Sequence, residues 1–178
     1  MALPKQEIVL VDFHNTTVPV WRVVNDTVMG GISESTMTNG EQGGVVFSGT
    51  VSLKNFGGFC SVHLHNTAVH DLSLYDGISL RVKGDGKQYK LILKTDSELN
   101  GFSYQFPFVT KKDAWITVHA PFQEFIPRFR GAVLSDAPPL NPAEIKSFGI
   151  MISDKQEGQF HLAIESIKAY ALQGQIGS

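Results

Sequence analysis

Alternation with a period of two, cut every few residues by turn-forming residues and never replaced by a sustained helical period, is the feature that most restricts how this sequence can fold. Its clearest instance is Phe59–His65, which puts Cys60, Val62 and Leu64 on one face and Phe59, Ser61, His63 and His65 on the other. Ile78–Lys83 repeats the pattern, and Tyr89–Thr95 sends Tyr89, Leu91 and Leu93 inward with Lys90 and Lys94 outward. Phe160–Ile164 alternates too, but its apolar phase slips at Glu165-Ser166 to Ile167, Ala169 and Ala171, so a bulge is expected there to return the side chains to their faces.

Shorter or less regular runs complete the set. Ile8–Phe13 reads as a strand stopping at a His14–Thr17 turn, Ser35–Asn39 as a short strand, and Val45–Leu53 as a long one with a bulge at Gly49. Ser103–Phe108 and Trp115–Ala120 are expected to pair across the polar Thr110–Asp113, and Ser147–Ser153 to bury Phe148, Ile150 and Ile152. Pro107 and Pro121 must lie at strand ends, edges or bulges, because neither can donate to a ladder. Turns are expected at Gly40–Gly44 and Asn55–Gly58, with hairpins at Gly84-Asp85-Gly86 and Asp154–Gly158. Asp71–Tyr75 could make one helical turn, and Asn141 should cap another that opens on Pro142. Phe122–Gly131 and Ala132–Asn141, the latter with Pro138-Pro139, read as extended connections with at most a helical turn. The fold class is therefore all-β, a jelly-roll β-sandwich with at most short single-turn helices. Residues 1–172 are expected to form a single domain and 173–178 a flexible tail.

At 178 residues such a domain buries about 70% of the surface its unfolded chain exposes and needs no staple. The single Cys60 has no partner for an internal disulfide and is expected to be a packed thiol. Fifteen basic against 17 acidic residues leave a net charge of −2 with no like-charged block, which gives no electrostatic basis for binding nucleic acid or an anionic membrane. No apolar run approaches the roughly 20 residues of a membrane helix, so no membrane insertion is expected. Met1–Lys5 has no charged-then-apolar leader, and the expected location is cytoplasmic, with the mitochondrial matrix as the alternative if a leader precedes the chain.

The densest cluster of special residues is Trp21–Ser33: Asn25-Asp26 offers side-chain acceptors and Gly30-Gly31 tolerates positive φ. Two interpretations stand. One is a structural corner with Trp21 buried and Asn25 and Asp26 bonded to backbone; the other is a recognition loop presenting Asn25, Asp26 and Met29. Further candidate binding residues are Arg81, Tyr104, Arg128 and Arg130, types that anchor interfaces or stack on sugars, with Arg128 and Arg130 expected to be exposed and Trp115 and Phe129 buried. His63 and His65 share a face at metal-ligand spacing, yet no third ligand is evident, and the turn residues Asp26, Asp76, Asp85 and Asp154 form no calcium loop. No nucleophile elbow, dinucleotide fingerprint or Walker sequence occurs, so neither cofactor nor metal is expected and no catalytic residue is named.

Taken together, Trp21–Ser33, Phe47-Ser48-Gly49, Asn55–Phe59, Tyr75-Asp76-Gly77, Lys83–Tyr89, Trp115, Pro121-Phe122, Phe125, Pro127, Phe129-Arg130-Gly131, Phe148-Gly149 and Asp154–Phe160 resemble the family of the thirty-kilodalton complex I intermediate-associated protein. The resemblance extends from about Ile8 to Tyr170. It implies a galactose-binding-domain-like β-sandwich and a non-catalytic interaction role, since the mitochondrial members assist assembly of NADH:ubiquinone oxidoreductase. Respiratory-complex subunits or assembly factors would then be the partners. A carbohydrate- or small-ligand-binding module is the alternative that the fold class allows.

Overall fold

The computed structural model describes residues 4–11, 13, 21–41, 43–96 and 101–172, and of residues 4, 5 and 65–68 the backbone alone. Its strands are β1 (Pro4–Val11), β2 (Trp21–Asn25), β3 (Glu34–Asn39), β4 (Val45–Val51), β5 (Cys60–His70), β6 (Gly77–Lys83) and β7 (Gln88–Lys94). They continue with β8 (Ser103–Val109), β9 (Trp115–Pro121), β10 (Ile126–Phe129), β11 (Ala132–Val133), β12 (Ile145–Ile152) and β13 (Gly158–Leu172). Helical structure among the described residues is limited to single 3-10 turns at Asp26–Met29, Lys54–Phe56, Phe122–Glu124 and Pro142–Glu144.

Two antiparallel sheets result. Sheet I runs β3-β4-β13-β6-β9 with β1 added to β13, and sheet II runs β11-β10-β8-β7-β12-β5-β2. Their inward rows make one apolar core: Phe47, Ile78, Leu80, Val82, Leu162 and Ile164 from sheet I meet Val62, Tyr89, Leu91, Leu93, Phe148 and Ile150 from sheet II. Tyr89 and Phe160 touch edge-to-face across the layers, ring centroids 6.4 Å apart. This is the jelly-roll sandwich that alternation implied.

β13 shows how a long strand serves three neighbours, with β6 along one side. Its first half pairs with β4 and its second with β1, and the register shifts between Ile164 and Ser166. That bulge lies where the apolar phase slipped, and it keeps both Ile164 and Ile167 inward. Asn141 caps its 3-10 turn by accepting from the Ala143 N–H at 3.0 Å.

Several expectations are corrected. Gly84-Asp85-Gly86 and Asp154–Gly158 are not hairpins, because β6 and β13 belong to sheet I while β7 and β12 belong to sheet II; both segments carry the chain across the sandwich. For the same reason β8 and β9 do not pair. No bulge occurs at Gly49, whose register with β3 and β13 is continuous. Glycine is needed there because a Cβ would overlap the Glu34 carbonyl of the neighbouring strand. β1 starts at Pro4 and ends at Val11, since its partner β13 extends to Leu172; His14–Thr17 and 173–178 lie outside the described residues. Asp71–Tyr75 is a turn closed by the Tyr75 N–H on the Leu72 carbonyl, not a helix. The segments taken as plain connections hold the short strands β10 and β11.

Trp115 and Phe129, expected in the core, are 40% and 38% exposed. Trp115 stands on the outer face of the edge strand β9 under the Lys83 ammonium, and Phe129 lies at the end of β10 under the Arg130 guanidinium. Each ring is partly covered by a cation, an arrangement that alternation cannot signal.

Candidate functional site

The Trp21–Ser33 stretch crosses from sheet II to sheet I, and a single carboxylate organises the crossing. Asp26 begins the 3-10 turn and is wholly buried. Its Oδ1 accepts from the Ser33 N–H at 3.0 Å, while Oδ2 accepts from the Ser33 hydroxyl at 2.5 Å, the Gly58 N–H at 2.7 Å and, more weakly, the Phe59 N–H at 3.4 Å. The Ser33 hydroxyl in turn accepts from the Ser52 N–H at 2.9 Å. Residues 26–33 and 52–59 are thus cross-braced into one corner. Burial opposes the charged form of Asp26, but the Ser33 hydroxyl and the Gly58, Ser33 and Phe59 N–H groups outweigh it and hold the carboxyl below the usual carboxylate range.

Glycines make room for this arrangement. A Cβ at Gly31 or Gly57 would strike the Asp26 side chain, and Gly30 leaves the 3-10 turn with φ of 89°. Asn25, also buried, accepts from the Ser35 hydroxyl at 2.8 Å. Asp26, Gly30 and Gly31 therefore sit as the corner interpretation requires, whereas Asn25, expected to bond to backbone, is held chiefly by the Ser35 side chain and reaches the Ser33 carbonyl only at 3.5 Å. Trp21 is half-buried, stacked on Phe13 with centroids 6.4 Å apart, and its buried Nε1 has no partner among the described residues.

The corner's outer side is another matter. Val28 is 72% exposed and Met29 57%, with Ile32 and Leu53 also exposed. On the second loop Phe56 is 95% exposed, and it and Asn55 hold left-handed φ of 60° and 56°. A rigid, internally satisfied corner thus presents apolar side chains from both of its loops. Of these only Met29 stood out from the sequence. Phe56 lies within Asn55-Phe56-Gly57-Gly58, where turn composition hides an aromatic that the backbone turns outward.

The other candidates are dispersed. Tyr104 is buried between the sheets, its hydroxyl donating to the Pro138 carbonyl at 2.9 Å, and burial followed by the nearby Asp96 charge raises its pKa. Arg128, expected to be exposed, is half-buried and donates to the Gly131 carbonyl at 3.1 Å, and Arg130 lies exposed beside it, both at the β10–β11 edge, opposite the β2 edge of sheet II. Arg81 is on the outer face of sheet I, 3.7 Å from Glu165, beside a groove of about 410 Å³ that Glu7, Phe13, Thr117 and Lys168 also line.

Among the described residues no group of three or more His, Cys, Asp and Glu side chains is placed to hold a metal. His63 lies on the outer face of sheet II over Gly149, where a Cβ would come within 2.6 Å of its Nδ1; the side chain of His65 is outside the described residues. Burial, with the charges of Lys94 and Arg22, lowers the His63 pKa to about 4. Lys94 points outward as expected but is buried in that same face. Asp76, Asp85 and Asp154 are engaged by the Leu172 N–H, the Tyr89 hydroxyl and the Lys90 ammonium. Cys60 is fully buried, and burial pushes its thiol up to about 11, far from a reactive thiolate.

Residues 11–164 match the model of the family described as complex I intermediate-associated protein 30. An uncharacterised protein of Schizosaccharomyces pombe is 32% identical over 84% of this chain and 77% of its own length. The mitochondrial complex I intermediate-associated protein 30 of Mus musculus is 27% identical over 84% of this chain and 52% of its own, so the chain spans about half of that relative. In structure, a family 11 carbohydrate-binding module of a Clostridium thermocellum cellulosomal cellulase superposes with a TM-score of 0.70 at 21% identity, covering 96% of this chain and 98% of the module. That likeness establishes a shared jelly-roll architecture of the galactose-binding-domain-like kind.

Proposed function

This chain belongs to the complex I intermediate-associated protein 30 family, and on that premise we propose that it is a non-catalytic protein-interaction module that assists assembly of NADH:ubiquinone oxidoreductase or a related membrane complex. The observation carrying this proposal is the family match across residues 11–164 together with relatives bearing the intermediate-associated name. The physical character of the molecule supports it. Its sandwich is filled by side chains, its only cysteine is an inert core thiol, and its rigid Asp26 corner displays apolar side chains to solvent. No described helix is long and apolar enough to cross a membrane. Relatives named as mitochondrial favour the mitochondrion over the cytoplasm as the site of action.

The carbohydrate alternative has fold likeness behind it and less from the side chains. Stacking on sugars needs open aromatic faces, whereas Tyr104 is enclosed in the core, Trp21 packs against it, and the partly exposed Trp115 and Phe129 rings lie under Lys83 and Arg130, which leaves Phe56 as the one of these rings open to solvent. The test of the proposal is affinity purification of the full chain, tagged at native expression, with quantitative mass spectrometry. Enrichment of complex I subunits or assembly factors over an unrelated sandwich bait is the expected result, and recovery of none would overturn the proposal.

A further inference from the structure

The Asp26 corner holds more apolar surface in water than its fold requires. The carboxylate braces backbone and Ser33, and none of its bonds involves the side chains of Val28, Met29, Ile32, Leu53 or Phe56. All five point outward from loops that the brace immobilises, and Phe56 does so from a left-handed backbone with no polar side chain of its own to favour that conformation. Preformed, rigid apolar anchors bind with little ordering cost, which is how interface hot spots act.

We propose that Val28, Met29, Ile32, Leu53 and Phe56 form a docking tip that inserts into an apolar pocket on a partner protein, with the Phe56 ring as its central anchor. The proposal rests on the interaction-module function and gives it a surface. A protein occupant is favoured by the surrounding charge. The neighbouring sheet crossing 153–157 reaches the tip through the Leu53 N–H on Glu157 at 3.2 Å, and the 84–87 crossing joins it through Gln88 and Gln156 at 2.9 Å. The charges at the tip itself are of both signs, Lys54 on its second loop against Glu34 beyond Ser33 and Glu157 on the Leu53 N–H, and the crossings behind it mix signs as well: Asp85 with Lys87, Asp154 with Lys155. An apolar centre beside a rim of mixed charge is the anatomy of a protein interface, whereas an anionic bilayer selects a surround of one sign. A second copy fits poorly. Two projecting tips of five side chains would cover far less than the roughly 800 Å² per partner of a stable interface, while a concave partner can wrap the tip and add the rim.

The test uses the tagged full chain in its native cell as wild type, Met29→Ser/Phe56→Ser, and Leu74→Ser as a control at an exposed apolar residue of the 71–75 turn. The expected result is at least a tenfold loss of complex I subunits with the double variant, unchanged recovery with the control, and a melting curve for the purified double variant like that of wild type. Equal recovery by wild type and double variant overturns the tip while leaving the assembly function standing. A wild-type bait that recovers no subunit defeats the assembly function instead, and a photocrosslinker then decides the tip alone. With p-benzoylphenylalanine in place of Phe56, a protein adduct competed away by purified wild type but not by the double variant sustains it. No protein adduct, or equal competition by both, overturns it. So does Phe56-dependent sedimentation with phosphatidylcholine–phosphatidylglycerol vesicles, which would assign the tip to a bilayer, or a Phe56-dependent dimer in analytical ultracentrifugation, which would assign it to a second copy.

Discussion

The corner at Asp26 and the corner at Asp85 solve one structural problem in the same way and show solvent opposite surfaces. Each carries the chain between the two sheets, one from β2 to β3 and the other from β6 to β7. Each places a glycine at φ of 89°, Gly30 in one and Gly86 in the other. Each is tied by an aspartate: Asp85 accepts from the Lys87 N–H at 3.1 Å, the Tyr89 hydroxyl at 3.0 Å and the His161 N–H at 2.9 Å. Yet the Asp85 corner faces water with Lys87 and its own half-exposed carboxylate, while the Asp26 corner faces water with Val28, Met29 and, from the braced partner loop, Phe56. A sheet crossing therefore needs the braced carboxylate and the glycine but no exposed apolar side chain. The surplus at Asp26 is left for function to explain.

The largest expected effect follows from removing the deeper brace. Asp26→Ala leaves the Ser33, Gly58 and Phe59 donors without their acceptor in a corner closed by Gly31 and Gly57, and should cost about 4 kcal/mol, lowering Tm by roughly 10 °C. Asp26→Asn should cost about half as much and carry a pH signature. Because folding holds the Asp26 carboxyl below its unfolded value near 4, its charge contributes stability above that pH and loses it as pH falls through the folded value. The gap between wild type and Asp26→Asn, followed by urea unfolding, should be flat from neutral pH to about 4 and narrow below it. A gap that persists undiminished in stronger acid would show that the carboxylate's charge is not what holds the corner.

At the shallower brace the cost should be smaller. Asp85 is half-exposed, so water can replace part of its bonding, and asparagine retains an acceptor for the buried Tyr89 hydroxyl. Asp85→Asn is expected to lower stability by about 1 kcal/mol in the same unfolding series. If it matched Asp26→Asn, the two corners would be equivalent in depth and the contrast would reduce to surface composition alone.

The similarity of the two corners also shows what sequence can carry. Facing was legible wherever the inward row was apolar, as at Cys60, Val62 and Leu64 or Ile78, Leu80 and Val82, because period-two burial is a local property of a strand. The slip at Glu165 was legible for the same reason. Pairing was not. Gly84-Asp85-Gly86 and Asp154–Gly158 have the turn chemistry of hairpins, and whether such a turn returns to the same sheet or crosses to the other depends on residues far along the chain. The corner role of Asn25, Asp26, Gly30 and Gly31 could be read from residue type, since acceptors and positive φ are what a tight crossing needs. The tip could not. Nothing in Asn55-Phe56-Gly57-Gly58 reports that Phe56 joins Asn55 and Gly58 at positive φ and turns its ring to water.

The smallest expected effect on stability is therefore the most informative about function. At 95% exposure the Phe56 ring has almost no packing to lose, so Phe56→Ser should change stability by no more than about 0.5 kcal/mol. Phe56→Gly should raise it by roughly 1 kcal/mol, because glycine takes φ of 60° without the steric cost that a β-carbon imposes. Thermal melts of the two variants beside wild type measure both changes. A loss of more than about 1 kcal/mol for Phe56→Ser would mean the ring is packed in solution and the tip is part of the fold. A gain for Phe56→Gly would mean that the native phenylalanine is maintained against stability, as expected of a side chain selected for what it touches outside its own chain.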